Sequence, residues 1–313
     1  MNTDLYNDIP DYSSWEEIIL IEKGYSEDKK YRIKTNKGKY LLLRISDIHN
    51  FEKKKKEYDI IHKFLSLGFT MSEPISFGIC NKGNSVYMIL SWISGKDLKE
   101  ELRNLTEKQQ YILGRKAGKI LKKIHSLSVD KSDIPIIKRK DKKLLQLEKY
   151  ENSNLRIPDD GEVLFFIRQN IERIENHSTS YLHGDFHPVN LIYTSDGNIG
   201  VIDFNRWKAG NPYEEFYKLE SFGTEESIPY CIGQIDEYFE NKIPEDFWKT
   251  LAVYVAHASL YSVKWAEPFG AEDIEDMKKR CEKAFENYDK FRNTVPKWYD
   301  NNMHLKYTDN LID

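Results

Sequence analysis

One short segment of the chain brings together residue types that can bind a metal ion and handle a proton. His183, Asp185 and Asn190 crowd into a single loop, and Asp203 ends the next apolar run. A turn at 194–198 would fold that run back beside the loop and bring two carboxylates and an amide oxygen together. Phosphoryl transfer uses such oxygens, to orient or deprotonate an acceptor hydroxyl and to hold Mg²⁺. The alternative is a polar turn that caps exposed amides, but the spacing His-x-Asp-x-x-x-x-Asn followed by Ile-Asp-Phe favours the chemical role.

The elements that precede this loop predict a small lobe of mixed structure over residues 1–93. Short runs rich in β-branched or aromatic residues predict five strands, at 18–21, 29–33, 40–45, 75–79 and 85–92. Asn36-Lys37-Gly38 is typical of a hairpin turn between the second and third of these. Between the third and fourth, apolar residues at helical spacing over 51–67 predict one helix, which Gly68 would end.

Residues 94–313 predict a larger and mostly helical lobe. Thr106-Glu-Lys-Gln109 has the pattern of a capping box, and it opens an apolar stripe that runs down to His125, which we interpret as a packed structural residue. The basic, Pro-containing segment 131–143 is interpreted as a linker or a helix end. Further helices are predicted at 163–174, 247–265 and 274–291.

Composition places the chain among globular proteins of two domains or lobes. It has 313 residues, of which 40% are hydrophobic, and a formal net charge of −4. No apolar run approaches the ~18 residues that a membrane-spanning helix needs, and the N-terminus lacks the basic flank and apolar core of a signal peptide. The three cysteines are far apart and lack metal-ligand spacing, which favours a reducing compartment. We therefore expect a cytoplasmic protein with no membrane partner.

Charge is unevenly distributed along the chain. Residues 181–313 carry 14 basic and 24 acidic side chains, whereas residues 96–180 carry 19 basic and 14 acidic ones. An acidic C-terminal third repels nucleic acid and attracts cations, so no nucleic-acid partner is expected. The four lysines 53–56 are interpreted as a solvated face of the predicted helix.

The segment His183-Gly-Asp-Phe-His-Pro-Val-Asn190, followed by Val-Ile-Asp-Phe204, resembles the catalytic loop and metal segment of the aminoglycoside phosphotransferases. These antibiotic kinases share the protein-kinase fold, and similar patterns occur in choline, homoserine and fructosamine kinases and in macrolide phosphotransferases. Gly210-Asn-Pro-Tyr-Glu-Glu-Phe216 is similar to the Gly-Asp-Pro…Asp-Leu element that follows in the family. The resemblance implies a bilobal α+β fold of the protein-kinase type, with a small antiparallel sheet and one main helix in the N-lobe and helices in the C-lobe.

The resemblance also implies roles for the residues of the loop. Asp185 would be the catalytic base that receives the proton of the acceptor hydroxyl, and His183 would organise the loop. Asn190 and Asp203 would bind Mg²⁺ on the nucleotide phosphates. His187 occupies the position of a phosphate-contacting lysine in protein kinases.

Nucleotide contacts are expected from the N-lobe. Arg44 stands where the fold has a basic residue on the α- and β-phosphates, and Glu57 matches the acid that pairs with it; the alternative for both is a surface ion. Ser26, in the loop between the first two strands, would offer its hydroxyl and amide to phosphate or be an ordinary turn residue. The Ser91 carbonyl and the Ile93 amide would contact the purine, and ATP is not distinguished from GTP.

The sequence therefore predicts a nucleotide-dependent O-phosphotransferase that uses Mg²⁺ and acts on a small cationic acceptor. The acidic balance of residues 181–313 favours an aminoglycoside as the acceptor, and therefore a role in antibiotic resistance. Candidate acceptor-binding carboxylates are Asp236, Glu237, Glu267, Glu272 and Asp273. The acceptor could instead be a choline-like amine alcohol, homoserine, a macrolide or a peptide antibiotic, and a non-catalytic binding module is a third hypothesis. A protein kinase is disfavoured because eight residues separate Asp203 from Pro212, too few for a long activation loop. A monomer is expected, with a dimer as the alternative.

Overall fold

The computed structural model describes residues 5–22 and 27–308, which group into two compact units. The first unit comprises the described residues up to Lys96 together with Ile192–Asn205. The second comprises Asp97–Leu191 and the described residues from Arg206 onward. The polypeptide thus returns to the first unit, with Asp203, after forming half of the second.

A five-stranded antiparallel sheet with the order β1-β2-β3-β5-β4 forms the first unit. Its strands are β1 (Trp15–Ile21), β2 (Lys29–Thr35), β3 (Tyr40–Asp47), β4 (Pro74–Cys80) and β5 (Ser85–Ser91). Gly38, with φ 73°, makes the turn between β2 and β3, where its N–H donates to the Thr35 carbonyl. All five strands were predicted from the sequence, with ends that differ by up to three residues.

One main helix, α1 (Phe51–Leu65), packs against β4 and β5. Its buried face includes Ile60, Ile61 and Phe64, and Gly68 follows with φ 64°. The predicted helix and its stop are therefore confirmed.

Five shorter strands follow along the chain: β6 (Lys96–Asp97), β7 (Ser180–Leu182), β8 (Leu191–Tyr193), β9 (Ile199–Val201) and β10 (Lys208–Gly210). β7 pairs antiparallel with β10, and β8 neighbours β9 in a second small sheet. The Thr194 N–H donates to the Asn198 carbonyl at 3.0 Å, so the predicted turn between β8 and β9 is present.

Helices dominate the second unit. They are α2 (Leu98–Leu102), α3 (Glu107–Ser126), α4 (Arg139–Glu151), α5 (Gly161–Asn170), α6 (Thr224–Glu226), α7 (Ile228–Tyr238), α8 (Glu245–Trp265), α9 (Ala271–Asn287) and α10 (Met303–Thr308). The predicted capping box opens α3, since Thr106 Oγ1 accepts from the Gln109 N–H at 3.3 Å and Gln109 Oε1 accepts from the Thr106 N–H at 2.9 Å. None of the helices among the described residues is long and apolar enough to cross a membrane.

Close packing of α3 on α7 explains a glycine in the middle of α3. A Cβ on Gly114 would lie 2.1 Å from the Tyr230 carbonyl oxygen, so the two helices could not approach this closely with any other residue.

Of the two interpretations of 131–143, a linker or a helix end, the second holds from Arg139 onward, because α4 begins there. The Arg139 guanidinium donates to the carbonyls of Ile174 and His177, at 3.2 and 3.0 Å, and this stabilises the start of the helix. These contacts are long-range, which is why local composition did not indicate where the helix begins.

Candidate active site

The loop after β7 is held in shape by its backbone. Gly184 has φ 81°, and a Cβ there would lie 1.9 Å from the Arg206 carbonyl oxygen, so only glycine fits. The buried Glu215 carboxylate accepts hydrogen bonds from the N–H groups of Gly184, at 2.9 Å, and Phe186, at 3.3 Å. Glu215 belongs to the predicted element Gly210–Phe216, which therefore acts here as a support for the loop.

Asn190 and Asp185 are bound to each other within this loop. The Asn190 Nδ2 donates to the main-chain oxygen of Asp185 at 2.9 Å and to its Oδ2 at 3.1 Å. Because the amide nitrogen is used in this way, the amide oxygen of Asn190 is available to another partner. The buried His183 accepts from the Asp185 N–H through Nδ1 at 3.2 Å, which is the geometry of a residue that orders the loop.

Three basic side chains surround the Asp185 carboxylate. The Lys218 Nζ lies 2.6 Å from Oδ1, the His187 Nε2 lies 3.4 Å from Oδ1, and the Arg206 Nε lies 3.7 Å from Oδ2. Burial alone would raise the pKa of Asp185, but the His187 hydrogen bond and the Lys218 and Arg206 charges hold it well below its usual range. Asp185 is therefore ionised near neutral pH, as a proton acceptor must be.

Lys218 is a buried cation among aromatic rings. Its ammonium lies 5.1 Å from the centre of the Tyr217 ring and 5.0 Å from that of Phe222. The His187 ring stacks on the Phe222 ring, with 4.9 Å between the ring centres. Because burial lowers the pKa of His187, its imidazole is neutral at pH 7. Sequence reasoning did not find Lys218, because it lies outside the loop motif and its position follows from the path of the chain after Phe216.

Asp203 lies in the first unit, two residues after the end of β9. Its backbone has φ 61°, an uncommon value for a residue other than glycine. Oδ2 accepts a hydrogen bond from the Lys30 Nζ at 3.2 Å. Oδ1 is buried and has no hydrogen-bond partner among the residues that the structure describes, although the Arg44 Nη1 approaches it to 3.9 Å. A buried carboxylate oxygen without a donor is suited to a hard cation.

Arg44 and Glu57 form a buried ion pair with two further charges. The Arg44 Nη1 donates to Glu57 Oε1 at 2.5 Å, and its Nε and Nη2 donate to Asp28 Oδ2 at 3.0 and 2.5 Å. The Lys54 Nζ donates to Asp28 at 2.6 Å and to Glu57 at 3.3 Å. Burial alone would raise the pKa of Asp28, but the Arg44 and Lys54 charges hold it well below its usual range.

Arg44 and Glu57 pair with each other as the sequence interpretation expected, and the alternative of surface ions is excluded, since each side chain is 3% exposed. The cluster differs from that interpretation at Lys54, which is buried, so the lysines 53–56 are not uniformly solvated. Asp28 was missed, because a lone acid after a turn has no distinctive pattern.

The remaining predicted contacts are placed as follows. Ser91 is the last residue of β5, and its hydroxyl accepts from the Glu73 N–H at 2.8 Å. Ile93 packs against Gly200, whose Cβ position would lie 2.9 Å from the isoleucine Cγ2. Ser26 lies outside the described residues.

Most of the candidate acceptor carboxylates are engaged within the second unit. Asp236 is buried and accepts from the hydroxyls of Tyr111 and Tyr299, at 2.8 and 2.9 Å. Glu237 pairs with Arg115 and Glu267 with Lys264, whereas Glu272 is exposed. Three of the five candidates are therefore already engaged by hydroxyl or basic groups of the chain.

Family comparison supports the resemblance found in the sequence. The model of the phosphotransferase enzyme family (APH) matches residues 17–249. No curated protein matches the chain.

Solved structures with the same fold include several antibiotic kinases. The GDP complex of wild-type aminoglycoside 2'-phosphotransferase-IIIa superposes with a TM-score of 0.70 at 13% identity, over 89% of this chain and 94% of that one. A thermostable mutant of aminoglycoside phosphotransferase APH(4)-Ia, in a ternary complex with ADP and hygromycin B, gives 0.64 at 17% identity, over 87% and 94%. The amicoumacin kinase hAmiN, in complex with AMP-PNP, Ca²⁺ and Ami, gives 0.65 at 13% identity, over 92% of each chain. The predicted α+β, protein-kinase-like fold is confirmed.

Proposed function

Because the chain belongs to the phosphotransferase enzyme family, we propose that it transfers the γ-phosphate of ATP or GTP to a hydroxyl group of a small molecule. The observation that carries this proposal is the pairing of Asp185 with Asn190. An ionised carboxylate is fixed by an amide whose oxygen remains available for a cation.

Asp185 acts as the base in this mechanism. Its Oδ2 is held by Asn190 and its Oδ1 by Lys218, so the carboxylate has one orientation in which to accept a hydrogen bond from the acceptor hydroxyl. The hydroxyl oxygen attacks the γ-phosphorus as its proton passes to Asp185, and the nucleoside diphosphate leaves. Most of the rate enhancement in such reactions comes from positioning and charge neutralisation rather than from proton abstraction.

Two side-chain oxygens have the chemistry of ligands for a divalent cation. The amide oxygen of Asn190 and Oδ1 of Asp203, which accepts no hydrogen bond among the described residues, are the hard donors that Mg²⁺ prefers, and Mg²⁺ commonly completes its shell with phosphate oxygens and water. When bound, the ion would neutralise charge on the phosphates. No group of three His, Cys, Asp or Glu side chains among the described residues could hold a metal alone, so the nucleotide would supply the other ligands.

We assign the first unit to the nucleotide. Arg44 and Glu57 lie beside the phosphates, and the Ser91 carbonyl and the Ile93 amide contact the purine. The family resemblance would add a phosphate contact from Ser26. The family resemblance supports these positions, and backbone contacts to the base leave ATP and GTP as equal candidates.

An aminoglycoside is our first candidate for the acceptor. The acidic balance of residues 181–313 supports a cationic acceptor, because carboxylates attract and orient ammonium groups. Since Lys218 and Arg206 make the immediate surroundings of Asp185 positive, the ammonium groups would bind farther from the reacting hydroxyl, near exposed acids such as Glu272.

The exposed cation beside Asp185, Arg206, favours a second candidate. An acceptor whose carboxylate lies close to its hydroxyl, as in homoserine, would place that carboxylate beside Arg206. A choline-like alcohol would place its cation there and is the less favourable of the metabolite acceptors.

The proposal includes the setting in which the enzyme works. The three cysteines, Cys80, Cys231 and Cys281, are buried and form no disulfide, which agrees with a reducing cytoplasm. We expect a monomer with no nucleic-acid or membrane partner, and analytical ultracentrifugation of the purified protein would show a dimer if one forms.

Nucleotide turnover across an acceptor panel tests the function. Release of ADP or GDP would be measured with Mg²⁺ and aminoglycosides, homoserine, choline, a macrolide or a peptide antibiotic. We expect stimulation by one acceptor class, lost in Asp185→Asn and retained in Asp59→Asn, an exposed helix position that serves as the matched control. Nucleotide binding without turnover on any acceptor would favour the non-catalytic module instead.

A further inference from the structure

Lys30 and Arg44 project from the same face of the sheet. They are direct partners across the antiparallel pair of β2 and β3, and side chains at such opposite positions lie side by side. Two cations therefore reach toward the same place from neighbouring strands, and the sequence reasoning considered only one of them.

Arg44 is held in place by buried carboxylates. Three of its nitrogens donate to Asp28 and Glu57 at 2.5–3.0 Å, and its side chain is 3% exposed. These bonds use three of the five N–H groups of the guanidinium, and a movement of the guanidinium toward a phosphate would break buried ion pairs.

Among the residues that the structure describes, Lys30 has one carboxylate partner, and its side chain remains partly exposed. Its Nζ donates to Asp203 Oδ2 at 3.2 Å, and its side chain is 15% exposed. An ammonium carries three N–H donors, so one bond to Asp203 leaves donors for another anion. Its length and freedom of rotation suit a phosphate better than the locked guanidinium does.

Asp203 provides the second reason to place a phosphate here. Its Oδ2 is bound by Lys30 while its Oδ1 is buried without a hydrogen-bond partner among the described residues. A cation on that oxygen would draw phosphate oxygens to the immediate neighbourhood of the Lys30 ammonium.

We propose that Lys30, on β2, is the lysine that binds the nucleotide's phosphate oxygens directly. Arg44, on β3, instead has a positioning role, in which it holds the side chains of Asp28 and Glu57 beside the site. This inference rests on the proposed function, because it assumes that a nucleoside phosphate is the ligand. The lysine of the phosphate site would then lie on β2, directly across from Arg44 on β3.

Equilibrium binding separates this role from a structural one. The dissociation constants of ADP and GDP with Mg²⁺, and of the corresponding nucleosides, would be measured by calorimetry for the intact protein. Lys30→Met should weaken diphosphate binding about 10- to 100-fold, as expected for a lost charged hydrogen bond, and leave nucleoside binding unchanged. Lys30→Arg should restore most of the affinity.

The control is Lys34→Met on the same strand. Lys34 pairs with the exposed Glu16 and Glu17, at 3.9 and 3.5 Å, and should change diphosphate affinity less than about twofold. Circular dichroism would establish that each variant is folded.

Two results would overturn the inference while leaving the function intact. One is diphosphate binding by Lys30→Met within threefold of wild type; the other is an equal loss for nucleoside and diphosphate. Failure of the wild-type protein to bind either nucleotide would overturn the proposed function as well.

Discussion

Replacement of the proposed base should destabilise the protein, which is an unusual expectation for an active-site carboxylate. Asp185→Asn removes the charge that faces the Lys218 ammonium at 2.6 Å. Lys218 has 6% of its side chain exposed, so water cannot solvate the cation that is left behind. At an effective dielectric of 20, the lost attraction amounts to about 6 kcal/mol.

Part of that loss is offset because burying the Asp185 carboxylate itself costs desolvation free energy, which the neutral amide of asparagine largely avoids. The Tyr217 and Phe222 rings face the ammonium at 5.1 and 5.0 Å in both proteins, so their contacts do not change the difference. We therefore expect Asp185→Asn to lower the free energy of unfolding by about 3 kcal/mol, in line with the removal of one partner from a buried pair.

Removal of the other partner, Lys218, should lower the free energy of unfolding by a smaller amount. In Lys218→Met the Asp185 carboxylate keeps Asn190 at 3.1 Å and Arg206 at 3.7 Å, and it is 17% exposed. We expect about 1–2 kcal/mol for this change and partial recovery of stability in the double variant, because neither charge then remains unpaired.

Urea unfolding at pH 7, followed by tryptophan fluorescence, would measure these differences, with Asp59→Asn expected to change the free energy of unfolding by less than about 0.5 kcal/mol. The reasoning is refuted if Asp185→Asn is as stable as wild type. It is refuted equally if the double variant is no more stable than Asp185→Asn.

Three further perturbations test the second unit. Glu214 is buried between Lys143 and Lys208, at 2.9 and 2.8 Å; burial alone would raise its pKa, but the two lysines hold it well below its usual range. The ionised Glu214 therefore stabilises the fold fully at pH values above the glutamate pKa in the unfolded chain, and this stabilisation is lost as the pH falls. In urea unfolding, Glu214→Gln should lower the free energy of unfolding by about 3 kcal/mol at pH 7 and by progressively less below pH 4. Gly184→Ala should abolish phosphate transfer in the turnover assay, because the loop must move to admit the methyl group. Thr106→Ala should lower stability by about 1 kcal/mol through loss of the cap, with activity unchanged.

Local patterns in the sequence were sufficient to predict most of the fold. The β-branched and aromatic residues of β2 and β3, the helical spacing in α1 and the capping box at Thr106 are each local features that involve residues a few positions apart. The start of α4 at Arg139 was not predictable in this way, since its stabilising partners lie more than thirty residues away in the chain.

In the candidate site, too, the residues with a local sequence pattern were predicted and those placed by long-range contacts were not. Asp185, Asn190 and Asp203 stand out because their spacing is local and unusual. Lys218 and Lys30 carry no such signal, because each reaches its carboxylate through the folding of distant segments. The environment of a charged residue is a tertiary property, and a sequence pattern alone does not give it.

The most direct test of the central claim is the fate of the γ-phosphate. Mass spectrometry and phosphorus NMR would follow a reaction with the stimulating acceptor from the panel. We predict one phosphate monoester on an acceptor hydroxyl for each nucleoside diphosphate released, and none with Asp185→Asn under conditions in which it is folded. Release of inorganic phosphate without an ester, or undiminished transfer by Asp185→Asn, would contradict the account.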